Sequence, residues 1–169
     1  MGEIAERAEM GLSAAYYHFS STDELLEAVI NEIFGAAAER FRVAPGENSL
    51  SEWARGCAMR HTAWMRVEPR EARLLLALSE ASPGGPRALE SFRTRIEAVT
   101  VEIAQSIRQL DSAKTAVEAH IVARGMLSLV AESAGMAVNS NGGLVDEFDT
   151  VVAATGILME RLAGASAAG

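Results

Sequence analysis

IAERAEMGLSAAYYHF, residues 4–19, reads as two short helical patterns on either side of a tight turn. Ile4, Ala5 and Ala8 give the first a small apolar face at helical spacing. Gly11 supplies a permissive residue where the second must begin, and Ala14, Ala15, Tyr16 and Phe19 carry it on. Two short helices joined this way predict a helix-turn-helix, the second helix being the one that would enter a DNA groove. The sequence then continues SSTDELLEAVINEIF. Here Ser21 and Glu24 have the spacing of a capping box, and Leu26, Ile30 and Ile33 fall on one face of a longer helix.

At these residues the chain resembles the TetR family of bacterial transcriptional repressors, whose signature runs roughly I-A-x-x-A-G-V-S-x-G-T-L-Y-x-H-F-x-S-K-E-x-L-L. Ile4, Ala5 and Ala8 match its scaffold helix. Tyr16, His18 and Phe19 match its recognition helix, and Ser21, Leu25 and Leu26 match the entry to the next. Four positions depart from the pattern. Glu9 stands at the turn glycine, Gly11 at the capping serine, Ala14 at the threonine and Thr22 at the lysine, and the last three weaken the implied phosphate contacts. The family also places a helix with basic residues ahead of the Ile4 position, where this chain has Met1, Gly2 and Glu3. The head is therefore expected to be incomplete, leaving Ile4, Ala8, Phe19 and Leu25 underpacked.

Within the second helix, Ser13, Tyr17 and His18 are candidate DNA contacts. The resemblance implies that Tyr16 and His18 lie near phosphates and that Thr22 takes the lysine's place beside them. Ordinary aromatic packing is the alternative for Tyr16 and Tyr17, and Phe19 is read as core. Charge opposes the DNA reading. The chain carries a formal net charge of −8, and residues 1–42 hold three basic and eight acidic side chains, so no basic patch faces phosphate. Weak DNA binding by this chain is the expectation.

The remaining sequence, 49% hydrophobic over 169 residues, is enough for a substantial core. It shows helical periodicity throughout and no alternating β-branched runs, so the fold class is all-α. Residues 1–42 are assigned to the helix-turn-helix head with its linking helix, and residues 43–169 to an effector-binding and dimerisation body. No stretch approaches the roughly 20 apolar residues of a membrane helix and no signal-peptide pattern opens the chain, so a soluble cytoplasmic protein is expected. Cys57 is the only cysteine, which excludes an intrachain disulfide and suits core filling.

Along the body, the helix begun near Thr22 stops before the turn at residues 43–48. Ser49 and Glu52 open a helix with Trp53, Cys57, His61 and Trp64 inward, ending before Pro69. A short helix follows, inward through Ala72, Leu75 and Leu76, and a break at Ser82–Pro86 closes it. Leu89, Phe92, Ile96, Val99, Ile103, Ile107 and Leu110 then mark a long central helix. Two more helices are expected at about 113–138 and 145–163, with NSNGG between them and a fraying tail at 164–169.

Trp53, Cys57, Met59, His61, Trp64, Met65, Phe92, Ile96 and Met126 suit an adaptable apolar effector cavity, and equally suit a plain core. Arg60 and His61 are the polar groups nearest it in sequence. The small residues of the last two helices allow close approach, and the resemblance implies that these helices form a homodimer interface. Met126, Val130, Ser133, Ala134, Ala137, Val152, Ala153, Gly156 and Met159 are its candidates. Glu118 and His120 are two apart rather than three, and the glycines lack phosphate-loop spacing, so neither a metal site nor an enzyme is expected, and no cofactor. The reading is a ligand-responsive repressor that binds operator DNA as a dimer. The alternative is a dimeric binding module whose head no longer reads DNA.

Overall fold

The computed structural model describes residues 1–80 and 85–164; within helix 69–80 the side chains of residues 75, 76 and 78–80 are not described. The expected inward faces of Leu75 and Leu76, the break at 82–84 and the tail at 165–169 therefore lie outside the described residues. Among the described residues there are eight helices and no strand: α1 (Gly2–Arg7), α2 (Leu12–His18), α3 (Thr22–Phe41), α4 (Leu50–Val67), α5 (Pro69–Glu80), α6 (Pro86–Leu110), α7 (Ala116–Ala137) and α8 (Phe148–Gly164). The fold is all-α, and none of these helices is long and apolar enough to cross a membrane.

Local capping sets most of the boundaries. Ser21 Oγ accepts from the Glu24 N–H at 3.1 Å, while the Glu24 carboxylate reaches back one residue further than a simple box, to the Ser20 N–H at 2.7 Å. Ser49 does the same for α4, its Oγ accepting from Glu52 N–H at 3.2 Å as the Glu52 carboxylate takes the Asn48 N–H at 2.9 Å. These satisfy donors that a helix start otherwise leaves open. A third box went unread in the sequence: Thr115 and Glu118 cap each other reciprocally. It starts α7 at Ala116, three residues later than expected, because Asp111 turns the preceding chain by accepting the Ala113 N–H at 3.1 Å. The last helix likewise starts at Phe148 rather than 145. Ahead of it an isolated bridge pairs Val138 with Leu144 around a turn held by the Asn139 side chain, with Gly142 at φ 78°.

The body packs in two overlapping layers. One sets α3 along α6 and α6 against α7; the other sets α4 against α8, with α7 touching α8 and α5. Phe34 and Phe92 meet edge to face across the α3–α6 seam, ring centroids 5.5 Å apart. A single continuous core runs from Ile30 on α3 to Ala163 on α8. The head is thinner: only Ala5 of α1 and Ala15 of α2 are buried, while Ile4 is 41% exposed and Phe19 and Leu25 are half-buried.

Candidate nucleic-acid interface and effector core

The turn between α1 and α2 is made by Glu9, at φ 53° the one non-glycine residue in the left-handed region among the described residues. Gly11, by contrast, has an ordinary extended backbone and caps α2 with no side-chain bond. The strain thus falls where the sequence lacks a glycine, and the glycine two residues on does not relieve it.

Beyond the turn, α2 stands clear of the body. Ser13, Tyr16, Tyr17 and His18 are all exposed, Tyr17 at 86%, and the Tyr17 and His18 rings meet edge to face at 5.3 Å. Thr22 is exposed beside them, its Oγ1 accepting from the Met1 amino group at 3.2 Å. All five candidate DNA contacts therefore lie on accessible surface at the head. Their chemistry is hydroxyl and imidazole rather than guanidinium or ammonium, so they offer hydrogen bonds to phosphate with little charge.

The effector candidates cluster in the body. Trp53, Cys57, Trp64, Met65, Phe92 and Met126 are buried in the common core, with Ile96 packed against it and Met59 exposed. α4 and α6, which carry most of the cavity candidates, each pack chiefly on other partners, α8 for the first and α3 and α7 for the second. Trp53 is tied down, its indole N–H donating to the Phe41 carbonyl at the end of α3 at 2.8 Å. Cys57 is buried, and that burial pushes its thiol up to about 12 despite the neighbouring Arg60.

Arg60 uses four of its five N–H donors. Its guanidinium donates to the Arg40 carbonyl at 2.8 Å, the Arg42 carbonyl at 3.0 Å, the Glu47 carboxylate at 2.7 Å and Cys57 Sγ at 3.3 Å. It closes the C-terminal end of α3 and the loop after it, a structural task that sequence spacing could not separate from ligand contact. Gly56 permits this, because a Cβ there would sit 1.8 Å from the Glu47 carboxylate oxygen. His61 is buried, and its Nδ1 donates to the Cys57 carbonyl at 2.8 Å. The cation that sequence reading missed is Arg40, whose guanidinium lies 4.2 Å over the Trp64 ring. Arg40 sits one residue before Phe41 in the last turn of α3, and no motif marks it.

The residues expected at a dimer surface divide. Met126, Val130, Ser133, Ala134 and Ala137 are buried within the chain, because the α7 face that carries them lies over α5, α6 and α8, and Met159 is buried on α8. Val152 and Gly156 are half-buried and Ala153 exposed along the groove between α4 and α8, where a Cβ added at Gly156 would sit 3.6 Å from the Ala58 methyl. The exposed apolar side chains of the two helices are instead Val117, Ile121, Met136, Ile157 and Leu158. Gly125, Leu129, Leu158 and Leu162 line an open groove between α7 and α8.

An exposed short helix, carried by a tight turn on a second short helix and continued by a long helix into a separate core, has the form of a helix-turn-helix. Residues 1–29 match the family of bacterial regulatory proteins described as the tetR family. No curated protein and no solved structure matches it.

Proposed function

We propose that the chain is a ligand-responsive repressor of the cytoplasm, binding operator DNA as a homodimer and released when a small molecule enters the body. The observation that carries this reading is the exposure of Ser13, Tyr16, Tyr17 and His18 together on α2, immediately ahead of a helix whose far end reaches the aromatic core of α4. Dimerisation is supported by the apolar side chains that α7 and α8 leave uncovered, which a monomer has no means to bury.

The head carries three basic and eight acidic residues up to Arg42, and few phosphates can be neutralised. Operator affinity of this chain is therefore expected no better than the nonspecific range of about 10⁻⁴ to 10⁻⁶ M at physiological salt. Fluorescence anisotropy on DNA flanking its own gene, at two salt concentrations, tests this. A shallow salt slope with further loss on Tyr17→Ala and His18→Ala supports the reading, whereas nanomolar binding contradicts the charge argument. The same charge favours a second reading, a dimeric ligand-binding module that does not engage DNA. That reading gains if the titration stays flat while the dimer and ligand binding persist.

A further inference from the structure

Two buried nitrogens belong to residues that neighbour the Trp64 indole, and neither finds a partner among the described residues. His61 Nε2 is one and Arg40 Nη1 the other. His61 is 3% exposed, with its ring 4.6 Å from Phe41 and set edge-on to Trp64 at 6.4 Å, the same indole that the Arg40 guanidinium covers. Their valences are opposite. A carbonyl only accepts, so His61 Nδ1 carries the proton that goes to Cys57 O, and in the neutral ring Nε2 is left a bare acceptor. Arg40 is a fixed cation and only donates. Leaving such groups unmet inside a protein is costly, and native interiors hold few of them.

We propose that Arg40 and His61 are the polar end of the effector site and that its ligand is an organic acid bearing a hydroxyl group, with the carboxylate on Arg40 and the hydroxyl donating to His61 Nε2. This rests on the effector-binding reading above and assigns the chemical class. A plain carboxylate would meet Arg40 but turn lone pairs toward Nε2. A cation is repelled by Arg40, and a hydrocarbon serves neither group. Arg60 competes poorly for the acid, since four of its five N–H donors are taken. Glu71 accepts from Trp64 Nε1 at 3.3 Å and its charge acts on Arg40, but it forms no ion pair with that residue among the described contacts. The remaining alternative is one bridging water, which would also satisfy both nitrogens.

The test is calorimetric titration of the intact chain with 2-, 3- and 4-hydroxybenzoate, against benzoate and the matching hydroxybenzamides. At least one hydroxy acid should bind tenfold or more tighter than both comparators. Arg40→Gln should erase the preference for acid over amide. His61→Asn, which keeps a donor for Cys57 O, should erase the preference for the hydroxyl. If that variant fails to fold, the ¹⁵N shift of Nε2 in the unaltered protein should move on adding the hydroxy acid and not on adding benzoate. Equal affinity across the three classes, or a preference that survives both substitutions, overturns the proposal in favour of the bridging water. The neutral fluorophore N-phenyl-1-naphthylamine separates the two levels of failure. Its binding in the body without any acid preference sinks only the assigned class, while no binding by it or by any benzoate sinks effector binding as well.

Discussion

Glu9 holds a left-handed backbone at the turn that aims α2, a conformation that costs a residue with a Cβ roughly 1–2 kcal/mol. Glu9→Gly should relieve it and, after glycine's extra chain entropy, stabilise the protein by about 1 kcal/mol, seen as a rise in Tm of about 2–4 °C. An unchanged or lower Tm would mean that the turn is strained elsewhere. His61 supplies a second prediction. Burial holds its imidazole down to about 3, with Arg40 and Arg60 adding to the effect and the bond to Cys57 O opposing it. Between that value and about 6.5 the unfolded chain binds a proton that the folded chain refuses, so stability falls as pH drops through this window, by at most about 1.4 kcal/mol per unit. His61→Asn should lack this component, so its stability profile from pH 7 to pH 4 should be flatter than that of the unaltered protein. Parallel profiles would show that the histidine is protonated in the folded state.

The element that joins head to body is α3, and one of its side chains reaches outward to another helix. Asp23 accepts from the backbone N–H of Gly85 at 3.0 Å, Ala88 at 3.1 Å and Arg87 at 3.3 Å, so a carboxylate distant in sequence caps the first turn of α6. The negative charge also suits the positive end of that helix. Asp23→Ala should cost about 0.5–2 kcal/mol in urea unfolding, with Asp23→Asn recovering part of it. A neutral alanine variant would show that water caps α6 equally well. Nothing in the pattern around Asp23 distinguishes it from the other acidic residues of α3; only the fold brings Gly85 and Ala88 to it.

For the whole molecule, the exposed Val117, Ile121, Met136 and Leu158 set the expectation of a homodimer, and light scattering at micromolar concentration should give twice 17.9 kDa. Leu158 lines the open groove between α7 and α8, so Leu158→Glu should shift the mass to the monomer with little loss of helicity. A monomeric mass for the unaltered chain would remove the dimer. Gly156 is the poorer probe. It faces α4 inside the protomer, beside the Arg55–Glu160 ion pair that ties α4 to α8, so a bulky side chain there would disturb folding and assembly together.

By itself the sequence determined what local physics controls: eight-helix composition, the position of the helix-turn-helix, two of the three local Ser/Thr caps, and the inward stripe of Trp53, Cys57, His61 and Trp64. Period 3.6 and capping spacing act within a few residues, and they are written in order along the chain. Tertiary structure alone decided which polar groups are spent and which are open. Arg60 and Arg40 look alike in sequence. One is consumed by three carbonyl and carboxylate oxygens of the α3–α4 connection, while the other lies over Trp64 with a buried nitrogen unmet. The same holds for the last two helices, where small residues are spread around each cylinder and only the packing of α7 on α5, α6 and α8 selects the face that remains outside. Hydrogen-bond satisfaction and helix rotation depend on contacts between residues far apart in the chain, and periodicity constrains neither.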